Sequence, residues 1–133
     1  MTIVAAQGGN AGVQTLTVMV RGLALGKISI GQARGILVKE LAVACGNGLA
    51  LGVAAGVVTY VLHRERLLSV VLGMALVLNF LVAALVGSLI PLTLRWLRAD
   101  PAVASSVFVT ACTDICGFFS FLGLLSVGLR YFT

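Results

Sequence analysis

The chain has 133 residues, of which 60% are hydrophobic and only 10% are charged, and its mean hydropathy is +1.15. Soluble domains carry about 25% charged residues, so this composition excludes an ordinary soluble domain and indicates an all-α membrane protein. The net charge of +5 comes from basic residues scattered between apolar runs rather than gathered in one patch. We therefore expect no nucleic-acid partner, and we interpret these residues as signals of orientation in a lipid bilayer.

Four helices are predicted in chain order within one transmembrane domain, residues 1–133. The first, over residues 2–25, is apolar but contains several polar side chains, and a short basic connector follows it over residues 28–39. Three long apolar runs come next, each sufficient to cross a bilayer, which takes about 20 residues. These runs predict helices over residues 40–62, 67–94 and 101–130.

The basic residues of the loops predict the orientation of this bundle. The connector from Arg21 to Lys39 has four basic residues and the loop from Arg95 to Arg98 has two, whereas the opposite side has Arg64, Arg66 and Arg130. Six basic residues against three favour placing the first two loops in the cytoplasm. We expect a multi-pass protein of the cell (inner or plasma) membrane with its C-terminus outside.

Asp114 is the only charged residue between Pro101 and Leu129. A carboxylate at membrane depth costs roughly 2.5–3.5 kcal/mol on insertion scales, and such groups usually face a bundle interior or a water-filled path. Oxygen ligands suit hard cations, and Mg²⁺ is often held by few carboxylates while it retains several waters. One carboxylate per chain fits this chemistry if a second chain supplies another, because rings of Asp or Glu select cations in channels.

Two polar stripes accompany this carboxylate. Helical spacing places five polar residues on one face of the first helix: Gln7, Asn10, Gln14, Thr17 and Arg21. A second face, on the last helix, holds Ser106, Thr110, Thr113, Asp114 and Gly117. Such stripes either face each other along a wet path or form interhelical hydrogen bonds worth about 0.6–2 kcal/mol each. The charge of Asp114 favours the path.

Small residues on the second helix predict a packing face. Gly48, Gly52 and Gly56 recur at every fourth position, which lets another helix approach closely. The cysteines match no zinc or CxxC pattern, and we interpret them as small buried residues. The chain contains no GxSxG, HExxH or P-loop motif, and no second intramembrane carboxylate pairs with Asp114. We therefore expect no enzyme activity and assign no catalytic residue.

Two sequence blocks resemble a known family. The segment Gly8-Gly9-Asn10-Ala11-Gly12-Val13-Gln14 resembles the GGNxGxQ motif that opens the conserved part of the MgtE magnesium transporter membrane domain, and Arg21-Gly22-Leu23-Ala24-Leu25-Gly26 continues it. The pair Asp100-Pro101-Ala102 and Thr113-Asp114-Ile115-Cys116-Gly117-Phe118 resembles the later DPA…TD/SDxxGF segment of that family. The blocks occur in the expected order, so together they are far more specific than either alone.

The resemblance implies a homodimeric Mg²⁺ channel or transporter with five membrane helices per subunit. Its pore would follow the dimer axis between the second and fifth helices. Asp114 matches the cation-selecting aspartate, the backbone at Thr110 contributes to the same filter, and Asn10 faces the pore. We place Ser106 beside this filter as a further oxygen donor. The pore lining is then expected to comprise Asn10, Gln14, Thr17, Thr113 and Gly117.

The chain also departs from the family pattern. It is expected to begin within the second family helix, and the cytoplasmic sensor domains of full-length members have no counterpart in it. Ser106-Val107 stands where many members have Asn-Pro or Gly-Pro, so we expect a slightly reshaped filter entrance.

The sequence thus predicts a pore domain that conducts Mg²⁺ passively, with Mg²⁺ as the transported ion. Two alternatives stay open. One is an ion-coupled exporter of divalent cations in which Asp114 also binds Na⁺ or H⁺. The other is a shortened, non-transporting domain that only associates with other membrane helices.

Overall fold

A computed structural model describes residues 2–27, 30–99 and 106–132 of the chain. Within these ranges it contains four helices and no strand: α1 Thr2–Ala24, α2 Ala33–His63, α3 Arg66–Trp96 and α4 Ser106–Phe132. In the described part of the chain, three helices are long and apolar enough to cross a membrane, namely α2, α3 and α4. The predicted all-α membrane architecture of about four helices is therefore confirmed.

The second helix starts earlier than the hydropathy pattern suggests. A 3₁₀ turn at Ile30–Gln32 leads directly into α2 at Ala33, so part of the basic connector is helical. An uncharged run marks the segment that lies in hydrocarbon, whereas a helix continues into the polar interface, where charged side chains are solvated. At the other end of the chain, the Asp100-Pro101-Ala102 block lies outside the described residues.

The helix α3 is the centre of the bundle. It packs against each of the other three helices, and α1 packs in addition against α4. The buried core follows α3, with single contributions from the other helices. Its fully or nearly buried members are Val4, Ala44, Val71, Leu72, Ala75, Leu76, Phe80, Ala84 and Phe121. Large apolar side chains on the outer surface of α2, such as Val53 at 65% exposure, are suited to contact with lipid.

Close contacts at glycines fix the helix directions. Gly52 faces Gly73 while Gly56 faces Ser69, so α2 and α3 run antiparallel. In the same way, Gly12 lies against Val109 and Ala5 against Gly117, so α1 and α4 are antiparallel. Gly8 lies against Asn79 and Gly12 against Gly87, so α1 and α3 are parallel and the chain alternates in direction from helix to helix. This alternation brings the two loops richest in basic residues to the same end of the bundle.

The turn between α2 and α3 is only two residues long. Arg64 adopts a left-handed conformation, with φ of 59°, and its N–H donates to the Tyr60 carbonyl oxygen at 2.8 Å. A residue in this conformation at a helix end satisfies one of the last free carbonyls. The short turn holds α2 and α3 together as an antiparallel hairpin.

Candidate functional site

Asn79 lies where α1, α3 and α4 meet. Its side chain is fully buried, and its Nδ2 donates to the Val4 carbonyl oxygen at 2.8 Å. Gly8 and Gly117 leave the space that this amide fills. A Cβ at Gly8 would overlap the amide, and one at Gly117 would lie 2.8 Å from Nδ2. Asn79 is thus the bridge between the two helices that carry the polar stripes.

The polar face of α4 approaches α1 through glycine. A Cβ at Gly9 would lie 3.6 Å from Thr110 Cγ2 and 3.7 Å from Thr113 Oγ1. Thr113 is fully buried, and its hydroxyl donates to the Thr110 carbonyl oxygen at 2.9 Å. Gly117 is buried as well. Thr113 and Gly117, two of the predicted pore-lining residues, are therefore buried where α4 packs against its neighbouring helices.

Asp114 has a different environment from its neighbour Thr113. It is half-buried on the flank of α4, and no hydrogen bond or ion pair of its carboxylate is formed with the described residues. The other charged residue of α4, Arg130, lies about 24 Å away along the helix at 1.5 Å per residue. A carboxylate at membrane depth needs a partner because its desolvation is costly. The carboxylate of Asp114 therefore has no such partner among the described residues.

Two further residues with side-chain oxygens lie in one row with Asp114. Ser106 and Thr110 precede it by two turns and one turn of α4, and residues four apart lie on the same face of a helix. Ser106 is exposed and Thr110 is half-buried. The three predicted metal-binding residues therefore form one row along α4, with about 6 Å between successive positions.

The polar stripe of α1 does not face this row within one subunit. Gln14 and Asn10 line clefts between α1 and α2, together with Asn47 of α2. Thr17 is exposed, and its hydroxyl donates to the Val13 carbonyl oxygen at 2.8 Å. Because each helical residue turns the chain by about 100°, Gln14 projects almost opposite to Gly12, which contacts α4. The two polar stripes therefore do not meet within one chain.

Comparison with known proteins agrees with the two motif blocks. Residues 1–124 match the MgtE family, described as divalent cation transporter. The chain belongs to the MgtE family. The relationship expected from the GGNxGxQ and TDxxGF motifs is confirmed.

Three curated relatives carry the name "Magnesium transporter MgtE". The protein of Enterococcus faecalis is 33% identical over 132 residues, covering 99% of this chain and 29% of that protein. The protein of Bacillus subtilis is 27% identical over 124 residues, covering 93% of this chain and 28% of that protein. The protein of Thermus thermophilus is 36% identical over 118 residues, covering 88% of this chain and 26% of that protein. The chain thus spans less than a third of the length of these relatives.

The structure shows what one glycine from each MgtE motif contacts. Gly8 from the first block and Gly117 from the second meet around the amide of Asn79, which neither motif contains. In the sequence, Asn79 belongs to no motif and stands alone among apolar residues of α3. The sequence feature that could have indicated its role is an amide in the middle of an uncharged run, where a polar group requires a partner.

Glu40 is a second residue whose position the sequence did not reveal. In the sequence it marks only the polar boundary of an apolar run, but the Thr15 hydroxyl donates to its Oε2 at 3.5 Å across the cleft between α1 and α2. The sequence feature that could have indicated its position is a carboxylate on the same helical face as Ala44 and Asn47.

Proposed function

We propose that this chain forms the membrane pore region of a Mg²⁺ channel or transporter that works as a two-fold dimer. Asp114 from each subunit holds a largely hydrated Mg²⁺ at the dimer axis, mainly through water. The observation that carries this proposal is the carboxylate of Asp114, half-buried in a helix suited to crossing a membrane and unpartnered among the described residues.

The chemistry of the row on α4 suits this ion. Mg²⁺ sheds water reluctantly and is usually held through one or two carboxylates with several waters retained. Two copies of Asp114 supply two carboxylates, while Ser106 and Thr110 supply nearby oxygens to the outer waters. Charge attraction is stronger at membrane depth than in water because the effective dielectric constant is lower. Two facing carboxylates therefore favour a divalent over a monovalent cation.

The dimer follows from the placement of the two polar stripes. The stripe of α1 and the row of α4 lie on different sides of one subunit, and both retain exposed polar residues such as Asn10 and Ser106. Exposed polar groups in a bilayer require water or a protein partner. A second copy related by a two-fold axis would bring the stripe of α1 in each subunit against the row of α4 in the other, since in such an interface residue i contacts residue j and j contacts i. The names of the relatives support Mg²⁺ as the ion.

Replacing Asp114 with Asn tests the filter directly. Asp114→Asn keeps size and hydrogen-bonding capacity but removes the charge that attracts a divalent ion. We expect normal or easier membrane insertion, because a costly ion is gone. We also expect loss of Mg²⁺ uptake, or of the preference for divalent over monovalent cations. The measurement is Mg²⁺ flux into liposomes that contain equal amounts of reconstituted dimer.

Glu65→Gln is the matched control for this experiment. Glu65 is an exposed carboxylate in the turn between α2 and α3, so its loss should leave flux nearly unchanged. Wild-type flux and selectivity in Asp114→Asn would overturn the filter. Flux that needs an opposing Na⁺ gradient would favour the ion-coupled exporter, and no flux from the wild-type chain would favour a non-transporting assembly domain.

A further inference from the structure

Two adjoining clefts lie between α1 and α2, with volumes of about 260 and 240 Å³. Phe80 of α3 lines both of them, and Gln14 and Asn47 are common to their walls. One cleft adds Thr15 and Glu40 and the other adds Gln7 and Asn10. One water takes up about 30 Å³ of liquid volume, so each cleft has room for a cation with several waters. These clefts therefore expose polar side chains on a side of the bundle different from the row on α4.

Among the described residues, Glu40 is the only carboxylate that lines these clefts. It is half-buried, and its hydrogen-bond partner is the Thr15 hydroxyl at 3.5 Å, near the limit for a hydrogen bond. Among the described residues, no Lys, Arg or His forms an ion pair with it. Its negative charge is therefore not balanced within the described part of the subunit, and a group of this kind near hydrocarbon requires a partner.

The site of Glu40 is separate from that of Asp114. Along the axis of α1, Glu40 lies at the height of Thr15, with which it forms a hydrogen bond. Thr113, the neighbour of Asp114, lies at the height of Gly9, against which it packs. Six residues of α1 separate these two heights, about 9 Å along the helix axis. Glu40 also lies on the α2 side of α1, while Asp114 is carried by α4 on another side. Glu40 is nearer the end of the bundle that carries most of the basic loop residues.

We propose that this cleft is a second cation site, which takes a hydrated divalent cation. The carboxylate of Glu40 supplies the charge, and the Thr15 hydroxyl and the amide oxygens of Gln14 and Asn47 hold the water shell, since hard cations prefer oxygen ligands. Basic residues at the same end repel cations, and a carboxylate in the cleft offsets that repulsion locally. The choice of Mg²⁺ as the natural occupant rests on the proposed function.

The test is binding of Mn²⁺ alone, followed by electron paramagnetic resonance, to the purified chain in detergent. The wild type should show two classes of site. Glu40→Gln should lose one class, with affinity at least about tenfold weaker, a change of roughly 1.4 kcal/mol. Asp114→Asn should lose the other class and keep the Glu40 class. Glu65→Gln is the control and should bind as the wild type does.

Asn47→Leu provides a second variant that leaves all charges in place. It removes one amide from the cleft while keeping a similar volume, so the Glu40 class should weaken and the Asp114 class should not. Unchanged binding in both Glu40→Gln and Asn47→Leu would overturn the second site. Loss of the Glu40 class together with unchanged binding in Asp114→Asn would support the second site and contradict the filter instead.

Discussion

At the scale of single residues, the buried amide of Asn79 and the two half-buried carboxylates are polar groups of two different kinds. Asn79 is satisfied in part by the Val4 carbonyl and holds helices together, although its Oδ1 is buried without a hydrogen-bond partner among the described residues. Asp114 and Glu40 are half-buried carboxylates with unbalanced charge. Packing explains the first kind. For the second kind we propose a bound cation, because no neighbouring base among the described residues neutralises either group.

Asn79→Ala should destabilise the bundle. The change removes an interhelical hydrogen bond, worth about 0.6–1.7 kcal/mol in membrane proteins, and leaves a cavity beside Gly8 and Gly117. We expect a lower midpoint of thermal unfolding in detergent. Asn10→Ala is the control, because Asn10 is exposed and its side chain makes no hydrogen bond with the described residues, so its midpoint should stay near that of the wild type. Equal midpoints for Asn79→Ala and the wild type would argue against the bridging role.

At the scale of helices, backbone contact at glycine determines how α2 and α3 pair. A Cβ at Gly52 would lie 2.8 Å from the Gly73 carbonyl oxygen, and one at Gly48 would lie 3.0 Å from Val77 Cα. Backbone atoms cannot turn aside as flexible side chains do. The face formed by Gly48, Gly52 and Gly56 therefore contacts α3 at the closest distance the chain permits.

Two glycines of α2 give opposite expectations for the same substitution. Gly52→Ala should separate α2 from α3 and lower the thermal midpoint, since the new methyl meets a carbonyl. Gly46→Ala should be neutral or stabilising, because nothing lies within 4 Å of its Cβ position and Ala favours a helix by about 1 kcal/mol over Gly. Thermal unfolding in detergent measures both. If Gly52→Ala proved as stable as Gly46→Ala, the close pairing of α2 and α3 would be wrong.

At the scale of the whole molecule, the bundle has two exposed polar surfaces that one subunit does not cover. We expect a two-fold dimer in which α1 and α4 lie nearest the axis. Asn10→Cys or Ser106→Cys, in a background with Cys45, Cys112 and Cys116 replaced by Ser, should cross-link two subunits. The yield is read as a dimer band on a denaturing gel run without reductant.

Val53→Cys in the same background is the control for this experiment. Val53 is 65% exposed on the outer apolar surface of α2, so it should face lipid and cross-link poorly. Cross-linking through position 53 alone would place the interface on α2 and α3 and contradict the proposed axis.

The sequence by itself determined those properties that depend on local composition and spacing. Long uncharged runs indicated the three helices suited to crossing a membrane, the glycine spacing of α2 predicted a packing face, and two motif blocks indicated the MgtE family. Asp114 stood out for the same reason, since the cost of a charge in hydrocarbon depends on its immediate surroundings.

Only the tertiary structure decided which way each helix is turned about its axis. The polar stripe of α1 lies towards α2 rather than α4 because Gly9 and Gly12 give α4 its closest approach on another side. For the same reason Asn79 meets Gly8 and Gly117, and Glu40 enters a cleft with Thr15. Hydropathy identifies the apolar segments, but the rotation of a helix is set by close packing against segments distant in sequence, which no single segment encodes.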